Sequence, residues 1–286
     1  MIKIIVMNTA AYNIINGDFF SGIYSREILA KVTCGDELLK YDYYESVFQH
    51  ALNLAKSKKT EESVKVFEDG EKRLEKEKKG SDLNAVLLDT LYPKKAYLYY
   101  KLKRMSLARL LTYKSIITNE GLKRSGGYTF LVFIQIQQYH NIARIFFAES
   151  KLKEGIRLSC RLIWFLLTKE PAGVKYLDKI AHPVEEEESE MRCAMTYQVL
   201  FELLGILARM KNNVAIYLKS LIVFLKEIIL YFNVSNEREH TLKNFLIVFS
   251  GIDLQDRSHY INAANHFLRT SKEMFPNTEK VIKLFY

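Results

Sequence analysis

The sequence predicts an all-α protein whose antiparallel helix pairs stack as an α-solenoid. Three observations support this prediction. The 286 residues include only four prolines and twelve glycines, whereas sandwiches and barrels need turn residues at short intervals. Apolar residues recur at the i, i+3, i+4, i+7 spacing of amphipathic helices. One arrangement of small and large side chains also returns along the chain, which indicates an internal repeat.

The first helix pair begins after an N-terminal segment, residues 1–36, of which Met1–Asn8 is interpreted as a short strand or the start of a helix. From residue 37 the helical pattern is strong. Tyr41–Lys56 carries one apolar stripe. Thr60, with two glutamates behind it, caps a second helix that ends in the charged loop near residue 78. These two helices are predicted to pack as a pair.

The second and third pairs follow the same scheme. Pro93 is expected to kink or restart the first helix of the second pair, because proline lacks the backbone N–H. Its partner is Ser106–Asn119, and Gly121 fits the left-handed position after a helix end. The third pair is Tyr128–Glu149 with Leu152–Thr168. Residues 37–183 therefore form the predicted repeat region.

Residues 184–286 are predicted to continue or cap the array. A short helix after Pro171 precedes them, and the four glutamates at 185–188 suit the first turn of a helix because of its dipole. Asn236 or Ser235 is expected to cap a later helix. The predicted C-terminal helices are 185–210, 212–232, 236–249, 256–270 and a short one through Val281.

The repeat is defined by three sets of aligned residues. In each pair, the first helix has a small residue and, three positions later, a large one. The second helix has another small residue, twelve positions after the small residue of the first helix. The sets are Ala51, Ala96 and Ala143; Leu54, Tyr99 and Phe146; and Ser63, Ala108 and Gly155. Small residues let helices approach closely, and large ones fill the groove between pairs.

This pattern, over residues 41–170, resembles the tetratricopeptide repeat (TPR). Successive copies lie 45 and 47 residues apart (96 − 51 and 143 − 96), longer than the family's usual 34, and the proline that closes a repeat is missing. An unrelated helical bundle is the alternative fold, since helix packing in general needs small and large partners.

The resemblance implies a binding groove lined by the first helices of the pairs. Carried over by position, the groove residues are Tyr97, Tyr100 and Lys101 in the second copy and Gln137, His140, Arg144 and Phe147 in the third. Tyrosines beside cations are typical of protein-recognition surfaces. The competing interpretation is that Tyr100 and Phe147 belong to the core. The family's lysine–asparagine clamp for a carboxylate terminus is not reproduced, because Pro93 and Tyr97 occupy two of its positions.

Motifs for catalysis, phosphate binding or cofactors do not occur in the sequence. Glu237 and His240 form an ExxH tetrad, and Asp256, His259 and His266 follow nearby, so an all-helical metal-dependent enzyme is an alternative. These residues do not make up a full set of metal ligands, however. Acidic residues in the first turn of a helix are explained by the helix dipole without a metal. We therefore predict no metal, no cofactor and no catalysis.

Charge and cysteine usage restrict the partner and the compartment. The net charge of +9 keeps nucleic-acid binding open, but acids and bases alternate in runs such as 71–79 (EKRLEKEKK), which disfavours it. No stretch suits a bilayer span. Three widely spaced cysteines without a CxxC pair favour a reducing compartment, so a cytoplasmic location is expected.

The predicted function is a non-catalytic scaffold that binds a protein or peptide in a groove, as an adaptor, an assembly factor or a subunit of a larger complex. A peptide-sensing helical-repeat regulator is a further alternative. Such regulators often carry an N-terminal helix-turn-helix, which residues 1–36 do not show.

Overall fold

The computed structural model of the protein describes residues 34–76, 82–125, 131–177, 186–208 and 214–250. Within them lie nine α-helices and no strand, which confirms the all-α prediction. The helices are α1 (Gly35–Lys56), α2 (Thr60–Glu75), α3 (Asp82–Lys101), α4 (Met105–Ser125), α5 (Leu131–Ala148), α6 (Leu152–Thr168), α7 (Glu186–Ala208), α8 (Val214–Tyr231) and α9 (Glu237–Ser250). Across these residues no helix combines the length and the apolarity that a bilayer span requires.

Two compact units share the described chain, and the division falls between Gly155 and Ile156, within α6. The first unit contains α1 to α5 and the start of α6. The second contains the rest of α6 and α7 to α9. The predicted domain boundary at residue 183 lies outside the described residues, as do residues 1–33 and the predicted helices beyond Ser250. Residues 171–177 form turns where a short helix was predicted.

The pair α1 and α2 shows how small and large residues bring two helices together. Phe48 and Phe67 are fully buried and stack with ring centroids 6.4 Å apart. The hydroxyl of Ser63 donates a hydrogen bond of 2.7 Å to the carbonyl oxygen of Ala51. Such a contact between a side chain and a neighbouring backbone needs small residues on both helices. The repeat positions Ala51 and Ser63 are therefore positions of close approach.

Helix α3 runs unbroken from Asp82 to Lys101 with Pro93 inside it. The predicted restart at Pro93 is therefore wrong. Proline removes the N–H that would bond the carbonyl of Asp89, but α3 packs against α1, α2 and α4, and tertiary packing supplies most of a helix's stability. Gly121 also lies inside a helix, because α4 continues to Ser125, and it lacks the positive φ expected of a helix-ending glycine.

The three loops that join α1 to α2, α3 to α4 and α5 to α6 share one backbone geometry. Lys58, Lys103 and Ser150 adopt left-handed φ angles of 64°, 61° and 61°. Each lies seven residues after the aligned alanine (58 − 51, 103 − 96 and 150 − 143). The next N–H in each loop bonds the carbonyl five residues back: Lys59 to Leu54 (2.9 Å), Arg104 to Tyr99 (2.9 Å) and Lys151 to Phe146 (2.8 Å). These bonds form a Schellman motif at every loop, so the helix-pair turn recurs in register with the sequence repeat.

The second unit has an aromatic core and a buried ion pair. Phe245 of α9 stacks on Tyr197 and Phe201 of α7, with ring centroids 5.3 Å and 5.4 Å apart. Beside these rings the Arg192 guanidinium donates to the Glu239 carboxylate at 2.6 Å, and both side chains are buried. Asn236 caps α9 as expected, since its Oδ1 accepts a hydrogen bond of 3.0 Å from the Glu239 N–H.

Two helical glycines give a matched test of the close packing of α1 and α2. A Cβ on Gly70 would lie 2.8 Å from Cε1 of the buried Phe48 ring, whereas a Cβ on Gly121 would meet nothing within 4 Å. Both Gly→Ala changes gain the same helix propensity, about 1 kcal/mol. Overpacking then makes Gly70→Ala less stable than Gly121→Ala by about 1–3 kcal/mol.

Urea unfolding of both variants, followed by far-UV circular dichroism, measures this difference. Equal stabilities for Gly70→Ala and Gly121→Ala would show that the Phe48 ring yields freely and that α1 and α2 are not closely packed at Gly70.

Candidate functional site

The predicted groove residues on α3 are accessible in part. Tyr97 and Tyr100 are half-buried and Lys101 is exposed. The Lys101 ammonium lies 5.2 Å from the centroid of the Tyr97 ring, a cation–π contact that costs the lysine little solvation at such an exposed position. One side of the Tyr97 ring packs against the hydrophobic core of the first unit. Tyr97 is therefore held by core contacts and is still partly accessible.

The four predicted residues on α5 have different surroundings. His140 is buried, with 2% of its surface exposed. The Phe147 ring covers Gly155 at the start of α6, where an added Cβ would lie 2.5 Å from Cε1 of that ring. Gln137 and Arg144 are half-buried. Of these four side chains, Gln137 and Arg144 are partly accessible, while Phe147 is engaged in packing.

A short polar chain positions Arg144. Its Nη1 donates a hydrogen bond of 2.8 Å to Asn141 Oδ1, and Asn141 Nδ2 donates one of 3.2 Å to Gln138 Oε1. One turn away, Gln137 Oε1 is enclosed and has no hydrogen-bond partner among the described residues. A buried acceptor of this kind costs about 1–3 kcal/mol unless a donor reaches it. On α5, therefore, Arg144 is an oriented and partly accessible guanidinium, whereas the Gln137 amide oxygen lies below the surface.

A second surface, which the sequence analysis did not identify, lies along α4. Leu107, Leu110, Tyr113 and Ile117 expose 40%, 52%, 42% and 58% of their surface. Their spacing of three, three and four residues places them on one side of the helix. We call these four residues the α4 outer face. The sequence signal was present, because α4 carries apolar residues on more of its circumference than a single buried stripe needs.

The alternative metal centre receives no support from the described residues. Glu237 and His240 are both exposed, and His240 Nδ1 lies 2.8 Å from the Asn244 side-chain nitrogen. Among the residues that the structure describes, no three His, Cys, Asp or Glu side chains gather as metal ligands. Asp256, His259 and His266 lie outside the described residues.

A buried carboxyl cluster joins α1, α3 and α4. Lys94 donates to both oxygens of Glu45, at 2.8 Å and 2.6 Å, and the Ser115 hydroxyl donates to Asp89. Burial raises the pKa of Asp89 to about 7, although Ser115, Lys94 and Asn119 act in the opposite direction. Only 3% of Asp89 is exposed. Because a substrate could not reach it, this cluster is a structural element of the helix packing.

The cysteines are free thiols: Cys34 is exposed, Cys160 half-buried and Cys193 buried. Burial raises the pKa of Cys160 to about 12, which keeps it as an unreactive thiol at neutral pH.

Comparison of the chain with protein-family models, with curated proteins and with solved structures finds no match.

Proposed function

We propose that the protein is a non-catalytic helical-repeat scaffold that binds a protein or peptide partner in a groove lined by α3 and α5. The observation that carries this proposal is the recurrence of one helix-pair turn, in register with the small and large repeat residues, at Lys58, Lys103 and Ser150. Repeated pairs of this kind stack into solenoids whose first helices line one side, as in the TPR family.

The accessible side chains on those two helices favour a polypeptide ligand. Tyr97 and Tyr100 present aromatic edges, while Lys101 and Arg144 present cations. Tyrosine and arginine are the residue types that dominate binding energy at protein interfaces. His140 and Phe147 support the groove from within rather than contacting the ligand.

A pull-down from the native source tests this groove. Tyr97→Ala, Tyr100→Ala and Arg144→Ala are each expected to reduce recovery of the bound partner about tenfold or more, as truncation of an interface anchor does. Lys65→Ala, at an exposed site on α2, is the matched control and should leave recovery unchanged. Circular dichroism confirms that each variant folds. If all three groove variants recover the partner as the wild type does, this groove is not the binding site.

A further inference from the structure

The α4 outer face is an apolar strip on a helix whose exposed charged residues are cations. Leu107 and Ile117 are ten residues apart, so the strip is about 15 Å long, close to three helical turns. Helix α4 packs against α3 on one flank and α5 on the other, which leaves this strip as its open side. Apolar side chains that are 40–58% exposed in one line differ from the scattered surface hydrophobics of ordinary proteins.

The exposed charges on α4 and on the loop before it have one sign, and the carboxylate that reaches α4 from the α5–α6 loop, Glu149, is paired with Arg109 at 2.8 Å. Residues 101–124 are described throughout, and every charged side chain exposed among them is a cation. The single carboxylate in that stretch, Glu120, is buried and paired with Lys123 and Arg124 at 3.1 Å and 2.9 Å. The exposed cations are Lys101, Lys103, Arg104, Lys114 and Arg124. A partner that covers the strip therefore meets positive charge at both ends and in the middle.

We propose that the α4 outer face docks an acidic amphipathic helix of a partner protein. Such a helix would lay leucine-like side chains along the strip in the ridge-into-groove manner and place glutamates or aspartates near Lys103, Arg104, Lys114 and Arg124. The complementary charges would steer the encounter and fix the orientation of the helix. None of the four residues of the α4 outer face is a predicted groove residue, so the proposal goes beyond the proposed function.

Two other classes of partner fit this surface less well. A membrane-surface helix inserts a broad apolar face into the lipid, whereas α4 is flanked on both sides and offers only a narrow line of partly covered side chains. Nucleic-acid surfaces centre on lysines and arginines that reach phosphates, whereas four large apolar side chains occupy the centre here. A protein interface with an apolar centre and a polar rim matches both features.

Photocrosslinking of the full chain in its native source tests the proposal. Tyr113→p-benzoylphenylalanine keeps an aromatic ring at the centre of the strip. The captured peptides are sequenced, and they are expected to be acidic, with apolar residues three and four positions apart. In the same background, Leu110→Asp and Ile117→Asp should each lower the crosslink yield about tenfold, whereas Ile117→Leu should retain it. The double substitution Lys103→Glu and Lys114→Glu should also reduce the crosslink yield.

Lys65→p-benzoylphenylalanine on α2 is the matched control and should not capture the same peptides. Crosslinks to lipid, to nucleic acid, to a second copy of this chain or to a segment without acidic residues would overturn the proposal, as would a yield no higher than at Lys65. The groove variant Arg144→Ala should leave the crosslink at position 113 unchanged. Failure at the α4 outer face is thereby separated from failure of the groove.

Discussion

Replacing Arg192 by leucine is expected to lower the free energy of unfolding of the second unit by about 3–5 kcal/mol. The Arg192 guanidinium donates to Glu239 at 2.6 Å and to the carbonyl oxygen of Leu166 at 3.0 Å. Both charged side chains are almost fully buried. Removal of the cation leaves a carboxylate enclosed without its opposite charge, and this desolvation cost is the source of the large effect.

The environment of Glu239 keeps its carboxylate ionised at neutral pH. Burial alone would raise the pKa of Glu239, but hydrogen bonds from Ser235 and Ser189 together with the charge of Arg192 lower it below its ordinary value. The Ser235 hydroxyl and N–H reach Oε2 at 2.7 Å and 2.9 Å, and the Ser189 hydroxyl reaches Oε1 at 2.8 Å. The carboxylate therefore links α7, α9 and the loop before α9.

A double variant separates the ion pair from the packing. Arg192→Met combined with Glu239→Leu removes both charges and is expected to be more stable than Arg192→Leu alone, because no unpaired charge remains buried. Arg161→Leu is the control: that arginine donates to the Gly173 carbonyl at 3.2 Å in an exposed position, so its loss should cost about 1 kcal/mol or less.

Trp164, the single tryptophan, lies in α6 with its ring centroid 5.5 Å from that of Tyr231, so its fluorescence reports unfolding of the second unit. A stability of Arg192→Leu equal to that of Arg161→Leu would contradict the buried ion pair.

The sequence was sufficient for the all-α class and for most of the described helices, but not for the contacts between distant residues. Leu152–Thr168 was predicted with the observed limits of α6, because a strong stripe and clear end signals define it. Arg192 and Glu239 lie 47 residues apart in the chain. The sequence around a charged residue does not show that its ion-pair partner lies on another helix.

The helix-pair turns escaped prediction for a different reason. Left-handed φ usually calls for glycine or asparagine, and the chain places Lys58, Lys103 and Ser150 there. The Schellman hydrogen bonds offset the steric cost of a Cβ in that region, which is of order 1–2 kcal/mol. Residue type alone therefore does not predict these three left-handed turns.

Candidate site residues were hardest to predict where polar side chains turn inward. His140 occupies one of the predicted groove positions on α5, as Gln137 and Arg144 do, yet it is buried while they are half-buried. Periodicity places a residue on a side of a helix but does not say how far the neighbouring helix covers that side. For the same reason the α4 outer face was not predicted. In the sequence its apolar residues look like core positions, and only the packing of the neighbouring helices shows that they are exposed.

Replacing Asp89 by asparagine is expected to remove a strong pH dependence of the first unit's stability. Burial raises the pKa of Asp89 to about 7, against an ordinary value near 3.9 in an unfolded chain. Between these two values the folded state holds a proton that the unfolded state has released. The wild-type protein therefore loses stability as the pH rises through this window, and the loss is complete above about pH 7.

The size of the effect follows from the same two values. Between about pH 5 and pH 8 the wild type should lose about 2–3 kcal/mol relative to Asp89→Asn, because each pH unit below the folded pKa corresponds to 1.36 kcal/mol. Burial also raises the pKa of Glu45, with Lys94 opposing it. Glu45 is present in both proteins, so the difference between their pH profiles belongs mainly to Asp89.

Urea unfolding at several pH values, followed by far-UV circular dichroism, measures both profiles, and Trp164 fluorescence shows which transition belongs to the second unit. Asp69→Asn, at an exposed aspartate on α2, should reproduce the wild-type profile, because a solvated carboxyl has similar surroundings in both states. Parallel profiles for Asp89→Asn and the wild type would mean that Asp89 is ionised in the folded protein. In that case Lys94 would have to serve two carboxylates, Glu45 and Asp89, and the Ser115 hydroxyl would bond to a charged oxygen rather than a neutral one.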